Sequence, residues 1–203
     1  MFPFGSLAMP GQRMADQPVA IPHTDTVLAK LGPLTREEVH VEDRIFVICR
    51  PERSDNLLDE PEVHAAFDAD EYMPYWADLW PAARMLAKAV LQESWIPGTE
   101  ALEIGCGLGL PGVVALTQGL HVTFSDYDPC ALRFAADNAL LNGLESFRTL
   151  QLDWRHPPTE LCFPVILGSD LIYELRNVEP LVAFVKTVLA RSEERRVGKE
   201  CRL

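Results

Sequence analysis

At 203 residues, 48% of them hydrophobic, the chain is sized for one globular domain with a sizeable core. A formal charge of −12 and a pI near 4.8 argue against nonspecific binding to nucleic acid or to an anionic membrane, and suit a cationic partner better. No apolar run approaches the ~20 residues of a membrane span, and the start of the chain lacks the positive residues and long apolar stretch of a secretory signal.

Residues 1–33 are rich in proline, glycine and methionine without sustained periodicity, which predicts a mobile N-terminal extension, with Met9 and Met14 as alternative starts. Residues 34–190 read as a single domain. Val39 and Val41, then Ile45 and Val47, alternate around Glu42-Asp43-Arg44 and predict a β-hairpin over 35–50, packed beside a main sheet with its carboxylates as a solvated face. Acidic residues dominate 54–70. The core, 71–190, opens with Tyr75, Trp76 and Trp80 ahead of Pro81, which starts a helix with Ala82, Met85, Leu86, Ala89 and Val90 as its buried stripe. Rings at a helix entrance either wall a ligand pocket or fill core, and both readings stay open for these three.

The stretch Thr99 to Gly119 organises the rest of the chain. The apolar run Ala101 to Ile104 ends in Gly105, Gly107 and Gly109, then passes into an apolar segment opening with Pro111: strand, tight turn, helix. Glycine allows positive φ or lets a ligand touch bare backbone, proline suits a first helical turn, and the free N–H groups there suit an anion. An ordinary strand-to-helix turn is the alternative. The dinucleotide fingerprint needs glycine at 110, where Leu110 stands, and no lysine follows to make a P-loop. The pattern is instead acidic-x-G-x-G-x-G, led by Glu103. The next apolar run, His121 to Phe124, ends in Ser125-Asp126, and Asp126 lies 21 positions after Gly105, where a carboxylate closing the second strand grips ribose hydroxyls. The site expects a nucleoside.

A helix opening at Pro129 has Asp128 as N-cap, Leu132, Ala135, Ala136, Ala139 and Leu140 as its buried stripe, and Asn142-Gly143 as its end. A third strand, Phe147 to Leu152, closes on Asp153-Trp154; this carboxylate can accept from an exocyclic amine or cap the following turn, and the indole can stack on a purine. The fourth strand, Val165 to Gly168, leads into Ser169-Asp170-Leu171-Ile172-Tyr173-Glu174. In an open parallel sheet the carboxyl ends of the strands face the ligand crevice, so Asp170 and Tyr173 emerge there, with a helix cap as the alternative role for Asp170. Leu181, Phe184, Val185, Val188 and Leu189 form the buried face of the next helix. From Arg191 the apolar period stops; 191–203 looks like a translated sequencing adapter and is expected to be a non-native tail, a natural charged tail being the alternative.

Four segments, PYWADLWPAARMLA, LEIGCGLGLPGVVAL, SDYDPCAL with LDW, and LGSDLIYE, occur in this order between Glu71 and Leu189. In these the chain resembles the class I S-adenosylmethionine-dependent methyltransferases, and more narrowly the family-16 group that contains non-histone protein-lysine methyltransferases and their bacterial relatives. The resemblance implies a cofactor site formed by Trp80, Glu103, Gly105, Cys106, Gly107, Gly109, Asp126, Tyr127, Asp153, Trp154 and Ser169, with Asp153 and Trp154 at the adenine. It implies an acceptor channel lined by Asp170 and Tyr173, proposed as the catalytic pair. The motif D-L-I-Y differs from the N-P-P-Y and D-P-P-Y of enzymes that methylate nucleobase amino groups.

The expected fold is therefore α/β, a doubly wound Rossmann-like parallel sheet with helices on both faces, an N-terminal hairpin, strand order 3-2-1-4 and a truncated C-terminus, because only four core strands of the seven in the resembled fold can be placed. The expected activity is N-methyl transfer from S-adenosyl-L-methionine, leaving S-adenosyl-L-homocysteine, most simply to a protein lysine. Alternatives are a small-amine N-methyltransferase, an inactive cofactor-binding fragment, and an NAD-type oxidoreductase. The five cysteines form no zinc-binding spacing, so no metal is expected and a reduced, cytoplasmic setting is the simplest reading. A monomer is expected.

Overall fold

The computed structural model describes residues 31–158 and 160–196. The expected extension over 1–33 lies outside them except for its last three residues, and so does the tail from 197 onward.

The chain opens with the antiparallel hairpin β1 (Leu34–Val41) and β2 (Arg44–Pro51), turning at Glu42-Asp43, with Val41 opposite Arg44. Its carboxylates do more than face solvent: Glu37 pairs with Arg50 and Arg84, and Glu42 with Lys88, tying the hairpin to the helix behind it. Exposed pairs of this kind are worth about 0–1 kcal/mol each. The acidic stretch after the hairpin forms a short 3-10 turn (Ser54–Asp59) and a helix, α1 (Pro61–Asp70), neither of them expected from its residues.

The main body runs α2 (Pro81–Gln92), β3 (Glu100–Ile104), α3 (Leu110–Thr117), β4 (His121–Asp126), α4 (Pro129–Leu141), β5 (Arg148–Gln151), β6 (Val165–Gly168) and α5 (Val178–Arg196). Strands pair in the parallel order β5-β4-β3-β6, the 3-2-1-4 order expected. One face of the sheet, with Ala101, Val122 and Phe124, packs against α2, α3, α4 and the hairpin; the other, with Leu102 and Ile104, packs against Leu181, Phe184 and Val188 of α5. Asp128 caps α4 by accepting from the Cys130 N–H at 2.7 Å, as its sequence predicts.

Two stripes differ from expectation. In α2 the buried positions are Ala87 and Val90, while Ala89 is exposed and Met85 is 73% exposed. Small apolar residues occupy two overlapping frames one position apart, and packing against α3 selects the second. In α4 Leu140 is 51% exposed, and the buried face includes Asn138. Among the described residues Cys49, Cys106 and Cys130 are free thiols. Among the described residues no helix is long and apolar enough to cross a membrane.

Helix α3 lies close against the sheet at Gly112. A Cβ on Gly112 would sit 2.3 Å from Glu103 Oε2 and 2.4 Å from Phe124 Cε1. Gly112→Ala is expected to destabilise the protein by about 1–3 kcal/mol, the usual cost of overpacking, read as a lower urea midpoint; an unchanged midpoint would contradict this packing.

Candidate active site

The glycine loop lies between β3 and α3. Gly105, Gly107 and Gly109 take φ of 56°, 51° and 78°, a left-handed conformation in which a side chain would be strained. Two carboxylates hold the loop from the ends of adjacent strands. Asp126, closing β4, accepts from the Gly107 N–H at 2.9 Å and from the Asp128 N–H at 3.0 Å. Glu103, near the end of β3, accepts from the Gly112 N–H at 2.9 Å in the first turn of α3. The acceptor that meets this helix start is thus the chain's own side chain.

Burial raises the Asp126 pKa to about 6, against hydrogen bonds from Asp128 and Gly107 that lower it. Burial likewise raises Glu103 to about 8, opposed by the Gly112 N–H and reinforced by the charge of Asp126. Cys106, buried in the loop, is raised well above the ordinary thiol range by burial and by both carboxylates.

Over this loop opens a cavity with about 1110 Å³ of empty space, the open solvent at its mouth included. Of the residues expected from the sequence, Trp80, Gly105, Cys106, Gly107, Gly109, Asp126, Tyr127, Asp153, Trp154, Ser169, Asp170 and Tyr173 all line it. Glu103 does not; it lies behind the loop, 2% exposed, engaged with Gly112. Asp153 borders the cavity with its carboxylate already occupied: Oδ1 accepts from the Arg155 N–H and Nε, both at 2.9 Å, which is the turn-capping alternative. Burial alone would raise its pKa, but Arg155 and His156 outweigh this and hold it below the ordinary value.

Part of the remaining wall is aromatic. Tyr75 meets Tyr173 edge to face with centroids 4.7 Å apart, and lies 6.0 Å from Trp80, whose indole N–H donates to the Tyr75 carbonyl at 2.7 Å. Burial, then the charges of Glu174 and Asp126, raise the Tyr173 phenol. Asp170, exposed beyond β6, has a φ of 53°, a sparsely populated region for a residue other than glycine.

Several lining residues carried no motif in the sequence. The Tyr72 hydroxyl donates to the Asp128 carboxylate and accepts from the Trp76 indole N–H at 3.2 Å. Arg155 lies 5.5 Å from the Tyr127 ring centroid. Arg176 pairs with Glu71 at 3.2 Å and with Glu174, joining two sides of the mouth. The only signal for Tyr72 and Arg155 was adjacency to PYW and to Asp153-Trp154; the ion pair at Arg176 had none.

A family model described as lysine methyltransferase, methyltransferase family 16, matches residues 67–201, more than half of the chain. The chain belongs to this family. Its fold is that of class I methyltransferases, and S-adenosylmethionine is the cofactor. The NAD-type alternative falls with that assignment. A histone-arginine methyltransferase, METTL23, of Rattus norvegicus is 30% identical over 132 residues, 60% of this chain and 57% of that protein. An electron transfer flavoprotein beta subunit lysine methyltransferase of Danio rerio is 36% identical over 116 residues, 56% of this chain and 45% of that protein. A histidine protein methyltransferase 1 homolog of Dictyostelium discoideum is 31% identical over 118 residues, 55% and 38% respectively. The chain thus spans about half the length of the curated relatives it matches. The expectation of a sequencing-adapter tail from 191 finds no support: α5 continues to Arg196, and the family match continues to residue 201.

The residues present fit such a cofactor. Bare backbone at the glycine loop, an acceptor carboxylate at Asp126 and aromatic faces at Tyr127 and Trp154 suit a nucleoside. Seven carboxylates against two guanidinium groups on the cavity wall suit a sulfonium cation.

Glu103 also makes the fold pH-sensitive. Its carboxyl titrates near 4.5 when unfolded and about 8 when folded, so between these values the native state keeps a proton that the unfolded chain has lost. The stability from this group is complete below the lower value and declines as pH rises to the upper one. Glu103→Gln keeps an acceptor for Gly112 and removes the titration. Thermal melts from about pH 5 to about pH 8.5 should therefore slope less for the variant, which becomes the more stable form at the alkaline end; parallel slopes would overturn the assignment.

Proposed function

We propose that the protein is an S-adenosylmethionine-dependent N-methyltransferase acting on a lysine side chain of another protein. The observation that carries this reading is one continuous cavity that includes both Asp126, at the end of β4, and the Asp170–Tyr173 segment beyond β6. These strands flank β3, so their ends lie two strand spacings apart, ~10 Å. A nucleoside held at the first and an acceptor nitrogen brought to the second would share the crevice.

When bound, the cofactor supplies an electrophilic methyl group on a sulfonium, open to direct displacement by a nitrogen lone pair. Alignment then provides most of the rate. In this reading Asp126 accepts from the ribose hydroxyls, the glycine loop lets the cofactor approach bare backbone, and Tyr127 and Trp154 wall the base. Tyr75, Trp80 and Tyr173 keep water from the mouth and favour a cationic side chain through their ring faces. The Asp170 carboxylate takes a proton from the incoming ammonium, freeing the lone pair. The excess of carboxylates on the cavity wall supports a cationic acceptor. A protein arginine is the second reading, favoured by the name of the Rattus norvegicus relative. A cytoplasmic monomer is the setting proposed.

Calorimetry should show binding of S-adenosylhomocysteine and none of NAD, with Asp126→Ala weakening the former at least about tenfold, as expected when a charged hydrogen-bonding group is lost. Because Asp126 titrates at about 6, affinity should fall as pH drops below that value in the wild type and stay level in Asp126→Asn. Methyl transfer to a panel of lysine, arginine and histidine peptides and small amines identifies the acceptor. With the accepted peptide, Asp170→Asn should lower kcat about 10²-fold with little change in KM; undiminished transfer would remove Asp170 from the proton step.

A further inference from the structure

The outer edge of the hairpin is closed by side chains instead of a third strand. Val47 and Cys49 are alternate residues of β2 whose peptide groups point away from β1 and meet two asparagines, Asn138 on α4 and Asn142 at its C-cap. Asn142 Oδ1 accepts from the Val47 N–H at 3.0 Å, and its Nδ2 donates to the Val47 carbonyl at 2.8 Å. Four residues earlier, Asn138 Oδ1 accepts from the Cys49 N–H at 2.7 Å, and its Nδ2 donates to the Cys49 carbonyl at 3.2 Å. The i, i+4 spacing sets the two amides one above the other along the helix, and each reproduces the paired N–H and C=O of a neighbouring strand. An edge that would otherwise invite pairing with another chain is thereby satisfied.

Asn138 differs from Asn142 in one respect. Its second amide hydrogen donates to the Leu108 carbonyl at 2.9 Å, inside the glycine loop between Gly107 and Gly109. Asn138 is 0% exposed, so neither Nδ2 hydrogen has water to turn to. The same helix face supplies Ala135, whose Cβ would stand 2.7 Å from a Cβ on Gly109. One face of α4 therefore presses on the loop at Gly109, bonds it at Leu108, and grips the hairpin at Cys49.

We propose that Asn138 is a positioning residue that locks the glycine loop in its cofactor-receiving shape and couples that loop to the N-terminal hairpin. The proposal rests on the glycine loop being the S-adenosylmethionine site. Freed from Asn138, the Leu108 carbonyl would be buried without its donor, and the left-handed turns at Gly107 and Gly109 would lose the side-chain bond that holds the segment between them. Asn142 supplies the control, because its hydrogen bonds reach the hairpin and its own helix but not the loop.

The test uses the full chain, with S-adenosylhomocysteine as probe and calorimetry well below each melting temperature. Asn138→Ala should raise Kd about five- to tenfold, the fold-change for one buried hydrogen bond. Asn142→Ala, although it also destabilises the hairpin, should raise Kd less than about twofold. Equal Kd values for the two variants would reduce Asn138 to a purely structural role and overturn the proposal. Should Asn138→Ala fail to fold, amide exchange on the wild type decides: the Cys49 N–H should gain more protection than the Val47 N–H on binding the probe, and equal or no gain overturns the coupling. A wild type that does not bind S-adenosylhomocysteine would instead defeat the reading of the cofactor site.

Discussion

Two carboxylates at the ends of neighbouring parallel strands hold the backbone on which the rest of the site depends. Asp126 takes the Gly107 N–H and Glu103 takes the Gly112 N–H, so the loop between β3 and α3 is pinned at its middle and at its exit. Both acids are raised in pKa by burial, and each lies in the field of the other loop groups. The arrangement tolerates that electrostatic cost because the N–H groups of a helix start and a tight turn are themselves short of acceptors. Glycine at 112 is part of the same device, since any side chain there would displace the Glu103 carboxylate.

Sheet order converts this local device into a site. With β3 between β4 and β6, the loop after β3 is flanked by the segment opening at Asp126 and the segment opening at Ser169. The aromatic stretch before α2 and the segment after β6 complete the wall, joined through the Tyr75–Tyr173 ring contact and the Arg176–Glu71 ion pair. A cavity assembled from so many separated segments depends on the sheet to place them, which makes its outline a property of the topology more than of any one motif. Its charge is markedly acidic, and that bias is shared by the chain as a whole.

The hairpin belongs to this assembly and is not a separate appendage. Its ion pairs reach α2, its edge is closed by α4, and α4 in turn bears on the glycine loop. Hydrogen bonds between buried amides and main chain are directional, so they set register where apolar contact alone would leave it loose.

Much of this was legible in the residues themselves. The glycine spacing after an apolar run, the carboxylate 21 positions on, the N-cap at Asp128 and the period of α5 are local patterns, and local sterics and hydrogen bonding act on them wherever the chain goes. What only the tertiary structure decided depends on neighbours distant in sequence. Small residues in α2 left two frames open until α3 packed against one of them, and Met85 ended outside. Glu103 turned behind the loop to Gly112, Asp153 was taken up by Arg155, and Asn138 became a buried bridge between hairpin and loop. A carboxylate or an amide carries no mark of which partner it will meet; that is set by which backbone groups the folded chain leaves unsatisfied beside it.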